Sequence, residues 1–272
     1  MNKSLGLCWV AIFAACAGAA DLRVDHVTVA GRDLTTLRAE FAAAGVRTEY
    51  GGKHTNGLTE MAVASFADGS YLELIAAQDP KAGAPSHYWG KFIDENAGPC
   101  AWAIGVEDLE GAAKRLGARV TASGRSRPDG MALKWRSASI GPEAQGTFFP
   151  FMIHDETERA LRATPSGKPT MPEWQGVAQV YIAVRNLDAA VKRYHEAFQL
   201  AEPRKGLDKA LDAEKASFAG TPVVLISAQS GWVAERLAKF GEAPCAFVIG
   251  NSHPRGKIRW LAIRGMRIGV VK

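Results

Sequence analysis

One segment of this sequence occurs twice. Pro99-Cys100-Ala101-Trp102-Ala103-Ile104-Gly105 returns as Pro244-Cys245-Ala246-Phe247-Val248-Ile249-Gly250. Other matches keep the same order in both halves. Val27-Thr28-Val29-Ala30-Gly31-Arg32-Asp33-Leu34 answers to Val180-Tyr181-Ile182-Ala183-Val184-Arg185-Asn186-Leu187, and Ala64-Ser65-Phe66-Ala67 to Ala216-Ser217-Phe218-Ala219. Ile75-Ala76-Ala77-Gln78 matches Ile226-Ser227-Ala228-Gln229, and Leu133-Lys134-Trp135 echoes Ile258-Arg259-Trp260. Chance supplies any one of these but hardly the ordered set, so the chain is read as an internal duplication.

Each half divides again. In the first unit Val27–Ala30 reads as a strand. Asp33 then caps a helix, because its carboxylate accepts free N–H groups of the first turn. Leu34, Leu37 and Phe41 share one helical face, and Gly45 suits a left-handed exit. Short strands follow near Val46–Tyr50, Met61–Phe66 and Tyr71–Ala76, with Ala67-Asp68-Gly69-Ser70 as a hairpin turn. The second unit repeats the order: a strand at Ala101–Val106, a helix capped by Asp108 and ended at Gly117, then strands at Arg119–Ala122, Met131–Ser137 and Thr147–Ile153. Pro128-Asp129-Gly130 turns between two of them. Residues 156–173 carry Pro165, Pro169 and Pro172 and read as a linker. The third unit begins after them, with Asn186 capping its helix. The fourth has no room for a helix between Gly250 and the next strand. The expected fold is α+β: tandem βαβββ units form curved, mostly antiparallel half-barrel sheets with helices outside. Residues 21–155 form the first domain and 174–272 a second, degenerate half.

The first twenty residues stand apart. Lys3 precedes an apolar run from Leu5 to Ala15, and Ala17-Gly18-Ala19-Ala20 offers small residues to a signal peptidase. This pattern predicts a signal peptide over residues 1–20 and an exported protein, periplasmic or secreted. Phe13-Ala14-Ala15-Cys16 leaves a second option, a lipid anchor at Cys16. No other run is long enough to span a membrane. The formal charge is +5, with basic residues scattered among acids. Arg125, Arg127 and Arg136 with Lys134 form the densest cluster, read as a solvated strand face and loop. No aromatic-interleaved basic stripe argues for nucleic acid. Cys100 and Cys245 each open an apolar run. Export permits a disulfide between them; two buried free thiols are the more ordinary outcome.

Paired strand–helix–three-strand units resemble the vicinal oxygen chelate superfamily of glyoxalase I, extradiol dioxygenases and bleomycin-resistance proteins. The first half is similar to the glyoxalase-like domain family. The residues that carry the likeness are Asp25-His26-Val27-Thr28-Val29, Gly51-Gly52-Lys53-His54, Tyr71-Leu72-Glu73-Leu74-Ile75, Arg127-Pro128-Asp129-Gly130, Leu133-Lys134-Trp135-Arg136 and Phe149-Pro150-Phe151-Met152-Ile153. The resemblance implies a cleft in a curved sheet that binds a small molecule, with or without one divalent metal ion.

It also implies site residues. In metal-using members a His early in a unit's first strand and a Glu in its last strand face the cleft; here these are His26 and Glu73. A metal needs at least a third ligand, and His154 is the candidate. The second unit has Ala101 where a His is expected. The second half has Gln179 and Val224 in place of His26 and Glu73, so no metal site is expected there. Without metal, a His26–Glu73 pair still offers a base. His54, Glu60, Trp135 and Arg136 are assigned to the cleft wall. The chain is therefore either an exported glyoxalase-like enzyme, a lyase, isomerase or oxygenase acting on an oxygen-rich molecule, or a binding protein that sequesters one. Its second half would then serve as a structural partner, and pairing into a homodimer is open. No nucleotide-phosphate loop or Gly-x-Ser-x-Gly elbow is present.

Overall fold

A computed structural model describes residues 22–83, 86–250 and 256–271. The expected signal peptide and Cys16 lie outside the described residues.

The first unit runs β1 (Val24–Ala30), α1 (Leu34–Ala43), β2 (Glu49–His54), β3 (Thr59–Ser65) and β4 (Tyr71–Ala77). A short helix, α2 (Gly90–Asp94), leads to the second: β5 (Gly98–Gly105), α3 (Leu109–Arg115), β6 (Val120–Ser126), β7 (Ala132–Ala138) and β8 (Phe151–Asp155). The caps fall where the sequence puts them. Asp33 accepts from Thr36 N and Asp108 from Gly111 N. Leu34, Leu37 and Phe41 are the buried face of α1.

In each unit the first strand pairs parallel with the last, β1 with β4 and β5 with β8. The units then join twice in antiparallel fashion, β1 with β5 and β2 with β6. Two half-barrels thus close into one eight-stranded barrel, in the order β1-β4-β3-β2-β6-β7-β8-β5. The β2–β6 seam needs glycine. Gly52 sits at φ +116°, and a Cβ there would stand 1.9 Å from Ser126 O. Only a residue without a side chain lets the strands approach so closely.

Residues 156–173 are not a free tether. They carry α4 (Arg159–Ala163), whose Arg162 is buried, and Met171 bridges to Phe66. The second half follows with β9 (Gly176–Ala183), α5 (Leu187–Phe198), β10 (Arg204–Asp208), β11 (Ala213–Ser217), β12 (Val223–Ser227), α6 (Gly231–Phe240), β13 (Ala243–Gly250), β14 (Arg259–Ile263) and β15 (Met266–Val270). Asn186 caps α5 through Ala189 N. These seven strands make an open sheet, β10-β11-β12-β9-β13-β15-β14, with β10 and β14 at its edges. The last unit has three strands among the described residues and no helix after β13, so closure fails.

The outward faces of both sheets and the helices share one apolar core, in which Trp102, Phe148, Phe149, Tyr194 and Phe247 are buried. Cys100 and Cys245 are buried free thiols. Among the described residues no helix is long and apolar enough to cross a membrane.

Candidate ligand cavity in the barrel

A strand buried on both faces has to place something on the barrel's inside. In β1 the outward residues Val27 and Val29 join the outer core. The inward residues are His26 and Thr28, both buried. On the neighbouring β4, Tyr71 stands beside His26 and Glu73 beside Thr28. Period-two alternation therefore aims His26, Thr28, Tyr71 and Glu73 into one cavity. Its volume is about 90 Å³, room for several waters or a compact small ligand. His54, Arg125, Trp135, Phe151 and Arg162 also line it, and His87, Tyr88 and Trp89 lie at it before α2.

The polar contacts follow a definite scheme. His26 Nδ1 lies 2.6 Å from Asp25 Oδ1, so this nitrogen carries the proton and donates. Asp25 is itself held by Arg162, at 3.0 Å to each carboxylate oxygen, and by Arg159. Arg162 also forks onto Asp155, at 2.5 and 2.7 Å. His26 Nε2 is thereby left as an acceptor. It faces Glu73 Oε2 across 3.6 Å. Glu73 Oε2 accepts from the Thr28 hydroxyl at 2.9 Å, and Oε1 lies 3.4 Å from His54 Nε2. Nδ1 of His54 bonds to Thr59 Oγ1.

Burial dominates the protonation states. It lowers His26 to about 4, only partly opposed by the Glu73 charge. Asp25 shares its charge with two arginines, which blunts its pull on the imidazole. Burial alone would raise Glu73, but the His54 hydrogen bond, the neighbouring imidazoles and the Thr28 hydroxyl outweigh it and hold the carboxyl at about 2. At neutral pH a lone pair on His26 and an ionised Glu73 oxygen therefore face each other with no proton between them. Two acceptors in that position call for a donor from elsewhere.

The expected cleft residues divide. His26, Glu73, His54 and Trp135 come together, with His54 edge-on to Trp135 at a centroid distance of 6.3 Å. His154 does not join them. Phe151 and Ile153 take the inward positions of β8, and His154 faces out, with Nδ1 3.0 Å from Val106 O. Arg136 also faces out, bonded to Glu110 at 2.6 Å. Glu60 lies on the far face of β3 and accepts from Tyr50 Oη. All three placements follow from the one-residue alternation that short sequence matches did not fix. Arg125, read as part of a solvated face, is 1% exposed.

Sequence reasoning passed over Asp25, Thr28, Tyr71 and Arg162 as site residues. Thr28 and Tyr71 were legible, since each is two residues from a named candidate on the same strand. Arg162 carried no signal, because it sits in the stretch read as linker.

The register also tests the metal. Thr28 pairs with Glu73 in the first unit, and Ala103 with Phe151 in the second. With Ala101 in the place of His26, Phe151 then stands in the place of Glu73. The second unit thus supplies a methyl and a phenyl group where a shared metal would need donors. Among the described residues, no group of three or more His, Cys, Asp and Glu side chains is arranged to hold a metal ion. The donor set does not fit the superfamily's metal.

Barrel and duplication together have the form of the vicinal oxygen chelate fold. A family model described as glyoxalase-like domain matches residues 24–198, and the chain belongs to that family. Among solved structures, a hypothetical protein from Staphylococcus aureus is similar at 14% identity and TM-score 0.65, covering 91% of this chain and 98% of that one. A variant of 4-hydroxymandelate synthase from Streptomyces coelicolor is similar at 12% identity and TM-score 0.52, covering 84% and 71%. At these identities the likeness is one of fold. No protein of curated function matches.

Proposed function

We propose that the barrel cavity binds a small oxygen-rich molecule, without metal, through a hydroxyl donated into the gap between His26 and Glu73. The observation that carries this reading is the pair of facing acceptors 3.6 Å apart. A ligand hydroxyl has one proton, which it donates to one of the two or shares between them as a three-centre bond. Both groups are weak bases as they stand, His26 at about 4 and Glu73 at about 2. Such groups accept hydrogen bonds well and remove protons from carbon poorly, which favours recognition over turnover. The aromatic lining residues Tyr88, Trp89 and Trp135 supply apolar contact for the rest of the ligand. On this proposal the chain is an exported binding protein, the export resting on residues 1–20 alone.

A second reading has its own support. Asp25 bonded to His26 is the orienting arrangement of a general base. A bound ligand that strengthened His26 would let its Nε2 take a proton from the ligand, with Asp25 stabilising the imidazolium.

The experiment is capture. Wild-type protein and the Glu73→Gln variant are incubated with a small-molecule extract, washed and denatured, and the released compounds identified by mass spectrometry. The proposal expects an oxygen-rich compound enriched on wild type and lost on the variant. Equal enrichment on both, or none on either, contradicts it.

A further inference from the structure

Arg125 lines the same cavity yet takes no part in the hydrogen bonds around His26. Nη1 donates to Gly51 O, and Nη2 to Arg162 O at 2.8 Å. A guanidinium has five N–H donors. Three are therefore without a partner among the described residues. Nor is any described carboxylate within ion-pair distance of Arg125, whereas Arg162 beside it is paired with both Asp25 and Asp155. Removing a guanidinium from water without a counter-ion is costly, and chains keep such a group where something else compensates.

Its position is set by the barrel seam. Arg125 on β6 is paired directly with His54 on β2. Directly opposed residues of an antiparallel pair point to the same face. His54 reaches Glu73 from that face, so the guanidinium belongs to the same enclosure as the facing acceptors. A planar fork with spare donors matches a carboxylate better than any neutral oxygen.

We propose that Arg125 is the anion anchor of the barrel cavity, so that the ligand carries a carboxylate close to the hydroxyl accepted by His26 and Glu73. This rests on the binding reading given above and narrows it to small hydroxy acids. Glu73 repels a bare anion, so the ligand must turn a hydroxyl donor toward Glu73 and its carboxylate toward Arg125.

The test is calorimetric titration of the folded protein with glycolate, lactate and mandelate, each beside its neutral amide. Wild type is expected to bind at least one acid roughly tenfold or more tightly than its amide, the worth of a charge-assisted pair. Arg125→Met should erase that preference, and Arg125→Lys should keep part of it. Arg125 also ties down Gly51 and Arg162, so the acid–amide comparison on wild type stands even if Arg125→Met fails to fold. If acids and amides bind equally while His26→Asn still abolishes binding, the Arg125 assignment falls and the cavity reading survives. If none of the six compounds binds, the anchor and the hydroxyl-acceptor reading fall together.

Discussion

The two halves descend from one pattern and differ in what they enclose. Thr28 pairs with Glu73 in the barrel, and Tyr181 pairs with Val224 at the matching place in the open sheet. Gln179 stands where the barrel has His26. The concave face of the second sheet is mostly apolar: Tyr181, Val224, Val248 and Trp260 pack there, with Trp260 edge-on to Tyr181 at 5.7 Å, and Gln179, Lys215 and Ser217 are its polar groups. The barrel interior instead holds a carboxylate, histidines and two buried arginines. A buried charge is costly and is retained where a network or a ligand compensates it. Closure supplies the network, because it brings β6 and α4 round to the residues of β1 and β4. The open sheet is not closed by further strands among the described residues, and its concavity keeps only a small pocket lined by Gln179, Tyr181, Lys215 and Val224.

This contrast can be broken or sharpened. The largest effect is expected from Arg162→Met. It leaves buried Asp25 with Arg159 alone and half-buried Asp155 without its bidentate partner, which costs roughly 3–5 kcal/mol. Denaturant unfolding checks it, and a loss below about 1 kcal/mol means that the Asp25–Arg162–Asp155 network holds nothing together. Next is Val224→Glu, which gives the open sheet the residue the barrel has. Val224 is buried beside Tyr181, at a pocket that also holds Lys215, so a loss of roughly 1–3 kcal/mol is expected. A tolerated glutamate shows that the second concavity is also wet.

Acid sensitivity comes third. The folded pKa of His26 is lowered from 6.5 to about 4 and that of Glu73 from 4.5 to about 2. Over both intervals the unfolded chain binds more protons than the folded one, so stability falls as pH falls. The His26 contribution is lost between about 6.5 and 4, and the Glu73 contribution between about 4.5 and 2. Unfolding curves at several pH values check this. His26→Asn should reduce the slope of the upper interval, with His87, also lowered by burial to about 4, supplying the remainder. The smallest effect is expected from Gln179→His. One imidazole at a partly open position next to Val224 changes stability by under about 1 kcal/mol and creates no ligand binding in calorimetry.

Much of the fold was legible because duplication supplied a register. The three Asx caps, the Gly69 and Gly130 turns and the unequal last unit all follow from local residue chemistry. Barrel closure was not legible. It depends on the β2–β6 seam, where two unlike sequences meet and Gly52 matters only through its clearance from Ser126. The site split for the same reason. His26 and Glu73 lie on one neighbouring strand pair and could be matched by motif. His154 and Arg136 needed a strand phase that short segments do not determine, and both point outward. Arg125 and Arg162 reach the cavity from elements whose places depend on closure.

The central claim is that His26 is a neutral imidazole whose Nε2 lone pair faces an ionised Glu73. Nitrogen-15 NMR of the imidazole rings, with His26→Asn to assign the signal, measures this directly. The account predicts the Nδ1–H tautomer at pH 7, with no titration until about pH 4 and with Nε2 shifting when a hydroxyl ligand binds. A His26 ring that titrates near its ordinary value, about 6.5, or that carries its proton on Nε2, contradicts it.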